Sequence, residues 1–139
     1  MGIVIDSSVF IEHERHDIDI GSLTAGREHE KFYISVITAS ELLHGLHRAV
    51  SERIRARREW FIGFILEKWP VLPIDFATAQ VHARIWAELD SRGKLIGPHD
   101  LWIAASCLAN GHTITTSNVR EFRRVPGLSV EEWTRSSRG

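Results

Sequence analysis

Residues 3–11 read IVIDSSVFI, and this segment decides the fold. Its first three residues are apolar and β-branched, which favours a buried strand that we predict at Gly2–Ile5. The strand pattern ends abruptly at Asp6, Ser7 and Ser8, so polar side chains follow it directly. We therefore expect Asp6 to lie at the carboxyl end of a buried strand.

Strand and helix patterns alternate along the rest of the chain. Further strands are predicted at Phe32–Ser35, Val71–Ile74, His112–Thr116 and Leu128–Val130. Helices are predicted at Thr38–Leu46, from the N-cap candidate Ser51 to Pro70, from the cap candidate Asp75 to Leu89, at Pro98–Leu108 and, as a short turn, at Asn118–Phe122. No element is predicted in the polar, histidine-rich stretch Glu12–Glu30. The alternation predicts an α/β fold with a central parallel sheet of four or five short strands and helices on both faces.

The composition is that of an ordinary globular protein, for which we expect one domain over residues 1–139. The 139 residues are 43% hydrophobic, and 17 basic and 18 acidic residues give a net charge of −1, so any contact with RNA must be local. No apolar run could span a membrane, and no basic leader follows Met1, so we expect a soluble, cytoplasmic protein. The lone Cys107 lies in an apolar run and is expected to be a buried, unreactive thiol.

Acidic residues are expected at several strand-to-helix connections. Asp6, Glu41, Asp100 and the pair Asn118 and Glu121 lie at or just after such connections, which meet at one edge of a parallel sheet. Clustered carboxylates raise one another's pKa unless a cation offsets their charge, and oxygen ligands favour Mg²⁺ or Mn²⁺. Taken singly, each acid also has a structural explanation as a helix cap, a helix N-terminal charge or a turn residue.

Four segments resemble the motifs of the PIN-domain family, and within it the VapC-type toxins. They are Ile3–Ile11 (IVIDSSVFI), Thr38–Gly45 (TASELLHG), Pro98–Ala105 (PHDLWIAA) and Thr115–Phe122 (TTSNVREF), the last followed by Val125–Leu128. They occur in the family's order and cover nearly the whole chain. The resemblance implies a single PIN-like nuclease domain.

The resemblance also implies that Asp6, Glu41 and Asp100 are catalytic, metal-binding carboxylates. The fourth motif departs from the family pattern, since many members carry Asp where this chain has Asn118. Glu121, three residues further on, would share a helical face with Asn118 and supply the missing charge as a ligand.

Three polar side chains are expected to position substrate or water. By the resemblance, Ser8 would orient a metal-bound water through its hydroxyl, and Thr116 and Asn118 of the fourth motif would act beside it.

As a function, the resemblance implies the toxin of a toxin–antitoxin pair, an endoribonuclease that hydrolyses RNA phosphodiesters with Mg²⁺, for which Mn²⁺ can substitute. The expected partners are a structured RNA such as tRNA or rRNA, a VapB-type antitoxin and a second copy of the chain, without direct binding of DNA or a membrane. A catalytically degenerate module that binds RNA or protein is the alternative, motivated by Asn118. A phosphatase of the haloacid-dehalogenase type would need an Asp-x-Asp pair, whereas Asp6 is followed by two serines.

Two further sets of side chains have more than one interpretation. Basic residues near position 50 could contact RNA phosphates, form a solvated helix face or bind an antitoxin: Arg48, Arg53, Arg55, Arg57 and Arg58. Aromatic residues could stack on unpaired bases, although their helical spacing favours packing in the core or at an interface: Trp60, Phe61, Phe64, Trp69 and Trp86.

Overall fold

The computed structural model describes residues 2–16 and 19–133, and in these ranges it contains a five-stranded parallel sheet. The strands are β1 (Ile3–Ile5), β2 (Phe32–Ser35), β3 (Val71–Leu72), β4 (Thr113–Thr116) and β5 (Val130–Glu132). Their order across the sheet is β3-β2-β1-β4-β5, so the strand that precedes Asp6 lies at the centre. The predicted α/β fold is confirmed.

Helices connect the strands and cover the sheet. They are α1 (Ser7–Arg15), α2 (Val36–His47), α3 (Glu52–Lys68), α4 (Phe76–Ser91), α5 (Pro98–Asn110) and α6 (Val119–Phe122), with a 3₁₀ helix at Ile20–Thr24 between α1 and β2. In the part of the chain that is described, none of these helices is long and apolar enough to cross a membrane.

The alternation of side chains along β1 divides the core into two layers. Val4 packs with α4 and α5 on one face of the sheet, where Leu89 and Ile103 are buried. Ile3 and Ile5 pack on the opposite face with residues of α1 and α3. Because successive strand residues point to opposite faces, three consecutive apolar residues require covering layers on both sides. The predicted helices on both faces are thus confirmed.

Local signals in the sequence correctly marked several helix ends. The side chains of Ser51 and Asp75 accept hydrogen bonds from the backbone N–H groups of Ile54 and Thr78, which caps α3 and α4. Pro98 begins α5, and Gly111 ends it with a φ of 66°. Glycine suits this position because the left-handed conformation is sterically unfavourable for a side chain.

Three element predictions were wrong or misplaced. The stretch Glu12–Glu30 contains the end of α1 and a 3₁₀ helix, although no element was predicted there. The prediction missed them because α1 begins directly after Asp6, without the turn residues that usually separate a strand from a helix. The last strand begins at Val130 rather than Leu128, and β3 ends at Leu72 rather than Ile74.

The tryptophans, for which packing in the core or at an interface was expected, differ in exposure. Trp69 is buried, as expected for a core residue, whereas Trp60 is 70% exposed and Trp86 is 52% exposed. The helical spacing of aromatic residues did not distinguish these cases, because periodicity identifies a face of the helix without showing whether that face has a neighbour. Neither Trp60 nor Trp86 belongs to the core of this chain.

Replacing Ile114 by Ala should destabilise the fold by about 2–5 kcal/mol, because its fully buried side chain lies in β4, an inner strand next to β1, and its loss leaves a cavity. Ile114→Val, which removes one methylene, should lower the free energy of unfolding by only about 1 kcal/mol. Urea unfolding followed by circular dichroism measures both values. Equal losses for the two variants would contradict the packing described here.

Candidate metal centre

Asp6 is a buried carboxylate at the carboxyl end of the central strand. Only 3% of its surface is exposed, and its Oδ2 atom accepts hydrogen bonds from the hydroxyls of Ser8 at 2.6 Å and Thr116 at 2.8 Å. Burial nevertheless raises the pKa of Asp6, because these hydrogen bonds only partly replace the water that a carboxylate loses, and the charge of Glu41 adds to the effect. A nearby cation would favour its ionised form.

Asp100 joins the site from the opposite layer. It lies in the first turn of α5, so it follows the loop between two helices. The expectation that each acid follows the end of a strand is therefore wrong for Asp100. Its carboxyl group is within hydrogen-bonding reach of Glu121. Burial, this shared hydrogen bond and the charges of Asp6, Glu121 and Glu41 raise the pKa of Asp100 to about 8. A bound cation would lower this pKa and favour the ionised form of Asp100.

Glu41 lies in the second turn of α2, at the rim of the site. Its Oε1 atom accepts a hydrogen bond from the Ser7 hydroxyl, and its Oε2 atom is 3.3 Å from Nδ1 of His99. The hydroxyl of Thr38 lies 3.3 Å from the Ser7 oxygen. These contacts fix the direction of the Glu41 side chain, whose charge acts on both Asp6 and Asp100.

Asn118 and Glu121 share a helical face, as their spacing predicted. The Asn118 side chain donates a hydrogen bond from Nδ2 to Oε2 of Glu121 at 3.1 Å, and its backbone N–H donates to the Thr116 hydroxyl at 2.9 Å. Asn118 therefore orients Glu121, while Glu121 contributes negative charge to Asp100. Whether either residue contacts a metal stays a prediction.

Three expected positioning residues are grouped around Asp6 and its neighbours. The oxygens of Ser8 and Thr116 lie 3.2 Å apart, and both hydroxyls bond the same carboxylate oxygen. The backbone N–H of Ser117 donates to the Ser8 oxygen at 3.2 Å. In the structure the Ser8 and Thr116 hydroxyls orient Asp6 directly, and the predicted action of these residues on water or substrate stays a prediction.

The sequence analysis missed the roles of Ser7 and Thr38. Both hydroxyls lie beside Glu41, yet only Ser8 was expected to act in the site. Because α1 starts at Ser7, adjacent residues point about 100° apart around the helix, so Ser7 and Ser8 reach different carboxylates. A helix prediction that began at Ser7 would have revealed this.

The donor set fits a hard divalent cation by its chemistry. The candidate ligands at this edge of the sheet are all carboxylate oxygens. In the described ranges, no Lys or Arg forms an ion pair with these carboxylates, which belong to Asp6, Glu41, Asp100 and Glu121. Within those same ranges, however, no three His, Cys, Asp or Glu side chains are arranged as a preformed metal-binding group. The carboxylates are thus neighbours whose charges interact, not a closed cage.

Comparison with known proteins agrees with this geometry. Residues 3–128 match the family model of the PIN domain. Ribonuclease VapC1 of Rickettsia felis is 34% identical over 130 residues, which are 94% of this chain and 95% of the relative. A tRNA(fMet)-specific endonuclease VapC of Salmonella typhimurium is 38% identical over 101 residues, which are 72% of this chain and 74% of the relative.

Solved structures have the same fold. VapBC2 from Rickettsia felis, bound to a DNA fragment from their promoter, superposes with a TM-score of 0.85 at 22% identity, covering 96% of this chain and 100% of that chain. DNA-bound VapBC from Salmonella typhimurium gives a TM-score of 0.78 at 28% identity, covering 96% of this chain and 99% of that chain. Both likenesses extend over nearly the whole length of the chains compared.

In EDTA, Asp100→Asn should raise the melting temperature at pH 7 by on the order of 3 °C. The unfolded chain releases the Asp100 proton near its ordinary pKa of 3.8, whereas the folded chain keeps it until about 8. Stability therefore falls as pH rises between these values, and the variant should lose this part of the pH dependence. Thermal unfolding from pH 4 to 8 measures it.

The matched control is Asp90→Asn, an exposed carboxylate on α4. It should reproduce the wild-type pH dependence. A melting temperature for Asp100→Asn that follows the wild-type curve at every pH would show that the pKa of Asp100 is not raised.

Proposed function

The chain belongs to the PIN domain family, and from that premise we propose that it is the ribonuclease toxin of a toxin–antitoxin pair and hydrolyses RNA phosphodiesters with a divalent cation. The observation that carries the proposal is the group of interacting carboxylates at the carboxyl edge of the sheet, where burial and mutual repulsion raise the pKa of Asp100 to about 8. Such repulsion is relieved when a cation binds. The ribonuclease names of the relatives support the same activity.

We assign the ion to Asp6, Glu41, Asp100 and Glu121, with Mg²⁺ as the natural ion and Mn²⁺ as a substitute. When bound, a divalent ion lowers the pKa of coordinated water and stabilises the leaving oxygen of a phosphodiester. The ionised carboxylates supply the negative charge that retains the cation. Asp100 adds its negative charge only after it releases its proton. Because its pKa is raised to about 8, we expect ion binding and loss of this proton to be coupled near neutral pH.

The residues around the carboxylates orient them. Ser8 and Thr116 direct their hydroxyl protons at Oδ2 of Asp6 and so hold this carboxylate in place. Ser7 and His99 hold Glu41 at its two oxygens, and Asn118 holds Glu121. Because these neighbours fix the side-chain directions, they should affect the affinity for the ion even where they do not touch it.

The proposed partners are inferred from the names of the relatives and of the similar solved structures. A tRNA-specific relative supports a structured RNA, tRNA or rRNA, as substrate. The neighbouring structures are VapBC complexes, which supports a VapB-type antitoxin as partner. We further propose a single nuclease domain over residues 1–139 that acts in the cytoplasm as a homodimer and leaves DNA binding to the antitoxin.

Asp6→Asn and Asp100→Asn should each lower the rate of RNA cleavage by about 100-fold or more, because each removes charge that holds the cation at the reacting phosphate. The measurement incubates the purified, antitoxin-free chain with labelled cellular RNA in Mg²⁺, Mn²⁺ or EDTA. Wild-type protein should give discrete fragments with either metal and none in EDTA. The matched variant Asp90→Asn should cleave like the wild type.

Two results would overturn this proposal. Fragments that persist in EDTA would show that cleavage does not require a divalent cation. A folded wild-type chain that binds RNA or protein without cutting in either metal would be the degenerate binding module, with Asn118 the first residue to examine.

Glu121→Gln should raise the Mg²⁺ concentration needed for half-maximal cleavage by about tenfold, because it removes a charge that acts on the site. Asn118→Ala should have a smaller effect, since it removes only the hydrogen bond that orients Glu121. Cleavage rates across a Mg²⁺ titration provide the measurement. An unchanged Mg²⁺ requirement in Glu121→Gln would show that the site functions without Glu121.

A further inference from the structure

Two adjoining cavities form a groove that begins at the acidic site. One cavity, of about 700 Å³, is lined by Ser7 and Glu41 of the site. The other, of about 920 Å³, lies between α1, the 3₁₀ helix and α3 and is lined by Trp60. Both cavities share Arg58 and Phe61, so they are continuous along α3. We call them together the α1–α3 groove.

The α1–α3 groove is lined by exposed arginines. Arg15, Arg48 and Arg57 are exposed there, and among the described residues none of them has a carboxylate within ion-pair distance. Arg58 has a structural role, since it donates to the Gly45 carbonyl at 2.8 Å and lies 3.6 Å from the Glu14 carboxylate.

Outside the catalytic cluster, the described lining of the groove contains fewer acidic side chains than arginines. These acidic side chains are Glu14, which lies beside Arg58, and Asp19, whose carboxylate accepts a hydrogen bond from the Gly21 backbone. With respect to the described residues, three guanidinium groups along the groove therefore have no ion-pair partner, and each can bind a phosphate oxygen.

An aromatic platform stands at the far end of the groove. Trp60 is 70% exposed and stacks on Phe64, with ring centroids 5.7 Å apart and planes inclined by 26°. Lys68, one turn further along α3, lies 5.8 Å from the centre of the Phe64 ring. The Phe64 ring restrains Trp60, while most of the Trp60 surface stays open to solvent. A restrained, exposed indole is suited to stacking on an unpaired base.

We propose that the α1–α3 groove binds a single-stranded segment of the RNA substrate, with its phosphates on Arg15, Arg48 and Arg57 and an unpaired base stacked on Trp60. The proposal rests on the ribonuclease function proposed above, because the groove ends at Glu41, where the phosphodiester would be cut. The exposed arginines Arg15, Arg48 and Arg57 favour a polyanion as the occupant, because Glu14 is already close to Arg58 and the Asp19 carboxylate accepts a backbone hydrogen bond. Flexible RNA beside a duplex can enter such a groove, whereas a duplex presents no free base to Trp60.

Binding can be measured separately from cleavage by omitting the metal. The probe is a fluorescently labelled 12-nucleotide RNA without secondary structure, titrated with the antitoxin-free chain in EDTA. Trp60→Ala should weaken binding by about tenfold, as expected for the loss of one base stack, and Trp60→Phe should restore most of the affinity. Trp86→Ala is the matched control, since Trp86 is 52% exposed on α4, across the sheet from the groove.

The arginines give a second, independent readout. Loss of one phosphate contact on a single strand should reduce the slope of log Kd against log salt by about 0.7. We expect this change for Arg57→Ala and no change for Arg84→Ala, an exposed arginine on α4. Circular dichroism establishes that each variant is folded.

The outcomes separate this proposal from the proposed function. Trp60→Ala and Arg57→Ala variants that bind the RNA as the wild type does would overturn the groove proposal, even if the wild type cleaves RNA with Mg²⁺. Loss of antitoxin binding in the same variants, with RNA binding intact, would assign the groove to a protein partner instead. A wild type that binds RNA in the groove but never cleaves it would refute the ribonuclease and leave the groove proposal standing.

Discussion

The hydrogen bonds from Ser8 and Thr116 to Asp6 hold an acidic side chain in the interior of the protein, at the end of the central strand. Each partner comes from a different part of the chain: Ser8 from the first turn of α1 and Thr116 from the last position of β4. This arrangement exists only if β1 and β4 pair in the observed register, with Ile5 opposite Thr115. A slip by one residue would turn Thr116 away from Asp6 and would exchange the two faces of the strand.

The same arrangement makes the site a source of instability in the absence of a cation. Asp6 and Asp100 both have raised pKa values because burial and neighbouring carboxylates disfavour their charged forms. The fold tolerates this because the surrounding core is fully packed, with Val4, Ile103 and Ile114 inaccessible to solvent. The carboxylates at this edge of the sheet thus lower the stability of the fold. The apolar layers on the two faces of the sheet offset this loss.

Much of the fold could be predicted because it depends on local patterns. Apolar runs identified all five strands, although the bounds of β3 and β5 were shifted, and Ser51, Asp75, Pro98 and Gly111 marked helix ends through interactions within a few residues. Asp6 was also located, since it follows a buried strand and carboxyl ends of parallel strands lie at one edge. The same rule did not apply to Asp100, which follows a loop between two helices. What periodicity could not show was contact between distant segments. It gave no sign that Ser7 bonds Glu41, that Glu121 raises the pKa of Asp100, or that Trp60 is largely exposed.

The division of the core into two layers has a consequence for how such proteins diverge. The layer of α4 and α5 carries Asp100, whereas the layer of α1 and α3 carries the arginines and Trp60. The sheet separates the two, and substitutions without shared contacts act nearly independently. Residues on the outer surface of α3 can therefore change from one lineage to another without repacking the helix that delivers Asp100. Selection can then change the substrate preference while the carboxylate site is inherited unchanged.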